Sequence, residues 1–121
     1  MIETIVIDTN IIIKLFSGDK SCQDIVHQKL LLLSFITEIE LLSWPTSTSE
    51  DESLLNSFLH DCFITNVTDD IKKAAIEIRK KYKLKVPDAI IAATATTKNL
   101  TLFSSDDIFK RIPHLNFVHV I

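Results

Sequence analysis

Apolar segments rich in leucine and β-branched residues alternate with segments of helical pattern along the whole chain. The strand-like segments cover residues 2–7, 30–36, 63–67, 100–103 and 117–121, although the four leucines at 30–33 could equally extend the helix before them. Helical patterns fill the intervals at 10–16, 20–28, 37–44, 49–62, 69–83, 88–98 and 106–112. Strands that alternate with helices form parallel sheets with both faces covered. The sequence therefore predicts a single three-layer α/β/α domain over residues 1–121, with a mostly parallel central sheet of about five strands.

Three local patterns predict where helices begin and end. The spacings Thr37-x-x-Glu40 and Ser49-x-x-Glu52 are those of capping boxes, which would start two of the helices. Asn99 follows an alanine-rich helical segment and is suited to the left-handed conformation that ends a helix, a role that glycine usually has.

The small numbers of glycine and cysteine residues exclude several kinds of binding site. Gly18 is the one glycine, whereas a GxGxxG dinucleotide motif or a P-loop needs at least two. Cys22 and Cys62 lack CxxC spacing, which argues against a disulfide scaffold and a zinc site. The apolar runs are far shorter than the ~20 residues of a membrane helix, and the first residues lack a signal-peptide pattern. We therefore expect a cytoplasmic protein without a membrane segment.

Four acidic residues stand at positions where chemistry is expected in a parallel sheet. Asp8 directly follows the first predicted strand, Glu40 lies one helical turn after the second, Asp106 follows the fourth, and Asp88 opens a helix. Each acid alone could merely cap a helix or complement its dipole. Together, at the carboxyl edge of one sheet, they would repel unless a cation were bound. Mg²⁺ and Mn²⁺ take such oxygen ligands and promote phosphodiester hydrolysis, which is the reaction that this pattern favours.

The four acids lie in four segments, which in order are IVIDTNIIIKLF (5–16), SFITEIELL (34–42), VPDAIIAATA (86–95) and LFSSDDIFKRIP (102–113). These segments resemble the four motifs of PIN-domain proteins, and most of all the VapC-type toxins of bacterial toxin–antitoxin pairs. The family's acids correspond to Asp8, Glu40, Asp88 and Asp106. The order and spacing agree over essentially the whole chain.

The resemblance implies a metal-dependent ribonuclease. Asp8, Glu40, Asp88 and Asp106 would be the catalytic acids and would surround one or two Mg²⁺ or Mn²⁺ ions. A metal-bound water, deprotonated with help from a carboxylate, would attack the RNA phosphodiester in line and leave a 5′-phosphate and a 3′-hydroxyl. The family also implies a small antitoxin that wraps the toxin and reaches into the acidic site, and a homodimer.

Supporting roles follow from the same resemblance. Asn10 and Ser104 match polar positions that orient the acids in the family. Asp106 and Asp107 stand side by side, which leaves the register of the fourth acid open. The Ser-x-Asp spacing favours Asp106 as the ligand, with Asp107 beside it in a supporting position. Glu38 would point about 200° away from Glu40 on a helix, so we interpret it as a solvated charge.

Other interpretations remain open at this stage. A haloacid-dehalogenase-like phosphatase needs a second Asp where Asn10 stands, and a response-regulator receiver needs an acidic neighbour for Asp8. Two alternatives stay open. One is a catalytically silent PIN-like binding module, which the presence of all four acids weakens, and the other is a housekeeping PIN nuclease outside a toxin–antitoxin pair.

The charge balance bears on an RNA partner. The formal net charge is −3, with 13 Lys and Arg against 16 Asp and Glu. Without the four proposed ligands, 13 cations face 12 anions, so the rest of the chain need not repel RNA. Seven of the cations fall within residues 72–85, where they form either a phosphate-binding edge or an ordinary solvated helix face.

Overall fold

The computed structural model describes residues 1–45 and 48–121. Over these described residues, five strands and six α-helices follow one another, with a short 3-10 helix before the last strand. In chain order they are β1 (Thr4–Ile7), α1 (Thr9–Phe16), α2 (Lys20–Val26), β2 (Leu30–Ser34), α3 (Phe35–Leu42), α4 (Ser49–His60), β3 (Phe63–Thr65), α5 (Asp69–Tyr82), α6 (Val86–Lys98), β4 (Leu102–Ser104), the 3-10 helix (Asp107–Arg111) and β5 (Phe117–His119).

The five strands form one parallel sheet in the order β3-β2-β1-β4-β5. The chain runs outward from β1 through β2 to β3 and then returns to the other side of β1 for β4. The strand order therefore reverses between β1 and β4, where Ile7 is paired with Phe103. In open α/β sheets, ligands bind outside the carboxyl ends of the strands at such a reversal.

Helices cover both faces of the sheet, as the apolar pattern predicts. Successive strand side chains point to opposite faces. Val6 therefore packs with residues of α5 and α6, whereas Ile5 and Ile7 pack with residues of α1, α2 and α4. All three are fully buried. The predicted three-layer α/β/α architecture is confirmed. No helix in the described ranges is long and apolar enough to cross a membrane.

Both predicted capping boxes are wrong. The start of α3 is capped by Ser34, whose hydroxyl accepts a hydrogen bond from the Ile36 N–H at 3.1 Å, and Thr37 is fully buried inside the helix. At α4 the cap is Thr48, which accepts from the Asp51 N–H at 3.0 Å. The residue before a helix must have an extended backbone, and the last residue of β2 already has one. The end of β2 therefore determines that Ser34, and not the nearby Thr37, caps α3.

Left-handed residues end two helices although neither is glycine. Asn99 ends α6 with φ 53° and ψ 45°, as predicted. Lys83 ends α5 with φ 60° and ψ 40°, and its N–H donates to the Arg79 carbonyl at 3.0 Å. This conformation crowds a Cβ atom, and lysine lacks the local hydrogen bonding with which asparagine tolerates it.

Replacing Lys83 with glycine is expected to stabilise the protein. Lys83→Gly removes the crowded Cβ at a helix end and should raise the free energy of unfolding by about 1 kcal/mol, measured by urea denaturation. The matched control is Lys73→Gly, at an exposed position inside α5, which should lower it by about 1 kcal/mol. A destabilised Lys83→Gly variant would contradict the argument.

Candidate active site

Asp8 lies at the carboxyl end of β1 and is 7% exposed. Its Oδ1 atom accepts a hydrogen bond from the Thr9 N–H at 2.8 Å, so the side chain caps α1. Its Oδ2 atom accepts hydrogen bonds from the Ser104 hydroxyl at 2.7 Å and from the Asn10 side-chain amide at 3.2 Å. The carboxylate is therefore held from β1, α1 and β4 at once.

Asn10 and Ser104 connect Asp8 to the segment that carries Asp106. The Ser104 hydroxyl oxygen accepts hydrogen bonds from the Asp106 N–H at 3.0 Å and from the Asn10 amide at 3.2 Å. The Oδ1 atom of the Asn10 side chain accepts a hydrogen bond from the Ser105 N–H at 3.0 Å. These contacts fix the backbone immediately before Asp106 relative to Asp8.

The two adjacent aspartates of this segment have different surroundings. Asp106 caps the 3-10 helix, and its Oδ1 atom accepts a hydrogen bond from the Ile108 N–H at 3.0 Å. Its charge raises the pKa of both Asp8 and Asp88. Asp107 is the exposed first residue of the 3-10 helix and is not among the charges that shift those two pKa values.

Glu40 approaches the same edge from α3. Its exposed carboxylate accepts a hydrogen bond from the Thr9 hydroxyl at 2.6 Å, and the Thr37 hydroxyl lies 3.3 Å from that of Thr9. The contacts of Thr9 and Thr37 are not part of the sequence prediction, although Thr37 precedes Glu40 by three residues and so shares its helix face. Glu38 lies in the first turn of α3 and is half-buried, whereas Glu40 is exposed. Since α3 follows β2 without a loop, its first turn lies against the sheet.

Asp88 lies half-buried in the first turn of α6. Burial raises the pKa of its carboxyl, and the negative charges of Asp106, Asp8 and Glu40 raise it further, while Lys85 acts in the opposite direction. The four sequence-predicted acids therefore lie within electrostatic range of one another. They reach this edge from two strand ends and two helices.

Burial also dominates the electrostatics of Asp8. The loss of hydration raises the pKa of Asp8, and the hydrogen bonds from Ser104 and Thr9 lower it only in part. The nearby charges of Glu40 and Asp106 add to the increase. A carboxylate in this position is thus costly to ionise unless a positive charge approaches it.

The donor set suits a hard divalent cation. Carboxylate oxygens are the ligands that Mg²⁺ and Mn²⁺ prefer. In residues 1–45 and 48–121, no three Asp, Glu, His or Cys side chains are close enough together to hold an ion as they stand. Mg²⁺ usually keeps several water ligands and needs only one or two carboxylates, so such an open arrangement of acids fits it.

Removing the Asp88 charge is expected to stabilise the protein when no divalent cation is bound. In EDTA at pH 7, Asp88→Asn should melt at a higher temperature than the wild type, since it removes both the repulsion and the cost of burying a charge. An acid whose pKa is raised by folding destabilises the folded state above that pKa, so the difference should disappear as the pH falls.

The matched control is Asp70→Asn, which removes an exposed carboxylate from the first turn of α5. It loses only a favourable helix-dipole interaction and should leave the melting temperature unchanged or slightly lower. A melting temperature of Asp88→Asn below that of the wild type at pH 7 would contradict the proposed repulsion.

Comparison with known proteins identifies the family. The PIN domain family matches residues 5–115. The structure of a toxin–antitoxin complex from Klebsiella pneumoniae contains a chain that is 32% identical, with a TM-score of 0.82, over 94% of this chain and 95% of that one. No curated protein sequence matches.

Two more distant structures share the fold. VapBC2 from Rickettsia felis, crystallised with a DNA fragment from the promoter, matches with a TM-score of 0.84 and 22% identity over 98% of this chain and 99% of that one. VapBC-1 from nontypeable Haemophilus influenzae matches with a TM-score of 0.78 and 20% identity over 96% and 97% of the two chains. The family match over nearly the whole length, together with the fold, makes this chain a member of the PIN domain family.

Proposed function

We propose that this chain is an endoribonuclease that depends on Mg²⁺ or Mn²⁺, and that it is the toxin of a toxin–antitoxin pair. The observation that carries the nuclease proposal is the hydrogen-bonded connection between Asp8 and the Ser104–Asp106 segment, at the reversal of strand order. The charge of Glu40 raises the pKa of Asp8, and the charges of Asp8 and Asp106 raise the pKa of Asp88, so all four acids interact electrostatically. Membership of the PIN domain family supports the same chemistry.

The four acids Asp8, Glu40, Asp88 and Asp106 are the residues that would hold the cation. When bound, Mg²⁺ or Mn²⁺ lowers the pKa of water and neutralises charge on a phosphoryl oxygen. Asn10 and Ser104 keep the Asp8 carboxylate and the Asp106 backbone in a fixed relative position. No covalent intermediate with the protein is needed, and in-line attack of water leaves a 5′-phosphate and a 3′-hydroxyl.

Asp88 is the acid that we assign to accept a proton from the attacking water. In the described part of the chain its carboxylate accepts no hydrogen bond, whereas Asp8, Glu40 and Asp106 each accept at least one. A base must have a free lone pair within reach of the proton that it removes.

Cations near the acids would contact the RNA backbone. Lys85 interacts with Asp88, and Lys110 and Arg111 belong to the exposed last turn of the 3-10 helix after Asp106. Phosphate contacts of this kind supply affinity without sequence preference. An arrangement in which basic side chains flank an acidic centre accounts for RNA binding by a chain of net charge −3.

Cleavage of RNA by the purified protein is expected to require Mg²⁺ or Mn²⁺ and to stop in excess EDTA. Glu40→Gln and Asp106→Asn should each lower kcat/KM by about 100-fold or more, which corresponds to roughly 2.7 kcal/mol of transition-state stabilisation. Glu38→Gln, which removes a carboxylate two residues away on the same helix, is the control and should cleave at nearly the wild-type rate. The measurement is gel-resolved cleavage of a 5′-labelled RNA.

Two outcomes of this experiment would overturn the assignment. Cleavage that persists in EDTA, or in the double variant Asp8→Asn with Asp88→Asn, rules out the proposed chemistry. A larger loss for Asp107→Asn than for Asp106→Asn would move the fourth acid to Asp107.

The proposed antitoxin partner has a suitable surface to bind. An apolar groove of about 350 Å³ lies between α1, α3 and α4. Phe16, Trp44 and Leu54 line it and remain 49%, 55% and 59% exposed. The similar Klebsiella chain comes from a toxin–antitoxin complex, which supports a small protein partner here.

We also propose that the chain forms a homodimer. A second apolar groove, of about 220 Å³, lies along α5 and α6. Ile76 and Val86 in its lining are 55% and 49% exposed, so a second copy could cover them. This groove shares no lining residue with the one between α1, α3 and α4.

Growth of bacteria distinguishes a toxin from a housekeeping nuclease or a silent binding module. Induced wild-type protein is expected to arrest growth within a few generations, whereas the double variant Asp8→Asn with Asp88→Asn should not. The readout is optical density and viable count after induction, with equal protein levels checked by immunoblot. RNA cleavage in vitro without growth arrest would favour a housekeeping nuclease, and arrest by both proteins would indicate an effect unrelated to cleavage.

A further inference from the structure

His119 contacts the acid-bearing segment from the edge of the sheet. It is the last residue of β5 and is paired with Ser104 of β4. Its Nε2 atom lies 3.0 Å from the Ser105 carbonyl oxygen. Because a carbonyl oxygen only accepts hydrogen bonds, Nε2 carries the proton in this contact. We propose that His119 is a positioning residue that fixes Ser105, and through it Asp106, for cation binding, an inference that rests on the proposed nuclease function.

The backbone of the Ser104–Asp106 segment is held from two sides. On the α1 side, Asn10 accepts the Ser105 N–H, and the Ser104 hydroxyl accepts the Asp106 N–H. On the β5 side, the Val120 N–H donates to the Ser104 carbonyl at 2.8 Å and His119 donates to the Ser105 carbonyl. Loss of the His119 donor would leave one side of this segment without its side-chain contact.

The side chain of Ser105 does not supply this constraint. Its Oγ atom is buried and has no hydrogen-bond partner among the residues that the structure describes. The position of Ser105 therefore depends on its main-chain contacts with Asn10 and His119. A partly buried carbonyl that loses its donor favours a rearranged backbone, since an unpaired polar group is costly.

Ring contacts extend the support to the other side of Asp106. The His119 ring packs on Phe117 with centroids 6.0 Å apart, and Phe117 packs on Phe109 at 5.7 Å. Phe109 is fully buried in the 3-10 helix that Asp106 caps. His119 thus combines a hydrogen bond before Asp106 with ring packing toward the helix after it, and the two contributions can be separated by substitution.

Two pairs of variants separate the hydrogen bond from packing. His119→Phe keeps a ring against Phe117 but has no donor, and His119→Leu is a second donor-free variant in case the first fails to fold. His119→Gln keeps an N–H donor at about the distance of Nε2. Val118→Ala is the control for β5 stability, because Val118 lies on the same strand and is 41% exposed.

Two measurements are made on each variant. Isothermal titration with Mn²⁺ gives the affinity of the acid site, and hydrogen exchange followed by NMR gives the protection of the Ser105 amide in the metal-free protein. In His119→Phe and His119→Leu we expect Mn²⁺ binding to weaken by about tenfold or more. Exchange of the Ser105 amide should be faster than in the wild type. His119→Gln should restore both quantities, and Val118→Ala should change neither.

Different results would overturn the positioning role of His119 and the proposed nuclease function. If the donor-free variants match the wild type, or if His119→Gln is no better than His119→Phe, the hydrogen bond has no positioning role and the proposal fails. If the wild type itself neither binds Mn²⁺ nor cleaves RNA, the proposed function fails. In that case, unchanged exchange of the Ser105 amide in the donor-free variants refutes the positioning role as well. Faster exchange would instead show that His119 fixes Ser105, without a role in cation binding.

Discussion

The hydrogen bond from the Ser104 hydroxyl to Asp8, at 2.7 Å, is the interaction on which the rest of the site depends. It joins the carboxyl ends of β1 and β4, which are neighbours in the sheet but 96 residues apart in the sequence. Asn10 adds a second link between the same two strand ends. A buried polar network of this kind is stable only when its members are satisfied. One half of the acid cluster is therefore rigid, because its position is set by the sheet itself.

The other half reaches the site from helices and has fewer fixed contacts. Glu40 is held through Thr9, and Asp88 is constrained mainly by its place in the first turn of α6. Burial and mutual repulsion raise the pKa of Asp8 and of Asp88, so the fold carries an electrostatic cost at this edge. Binding of a cation would remove that cost. Stability of the metal-free protein and affinity for a cation should therefore change in opposite directions when one of these acids is neutralised.

Features that depend on nearby residues could be predicted from the sequence, whereas those that depend on strand pairing could not. The placement of Asp8 and Asp106 at strand ends was predictable because an apolar strand run ends shortly before each, and the helix end at Asn99 because few residues tolerate its backbone conformation. The cap at Ser34 was missed because several hydroxyl residues lie close together and only the end of β2 distinguishes them. The contact between His119 and Ser105 requires the register of β4 against β5, which no local pattern contains.

Helix α1 extends from the acid site to the groove proposed for the antitoxin. Thr9 and Asn10, in its first turn, contact the acids, while Phe16, its last residue, lines the groove. A helix of eight residues is only about 12 Å long. The resemblance to the family implies an antitoxin that reaches into the acidic site, and a basic side chain of a peptide bound along this helix would there offset the same repulsion as a cation. Binding of such a peptide and binding of a cation would then compete for the charge of the acids, which is a direct physical route to inhibition.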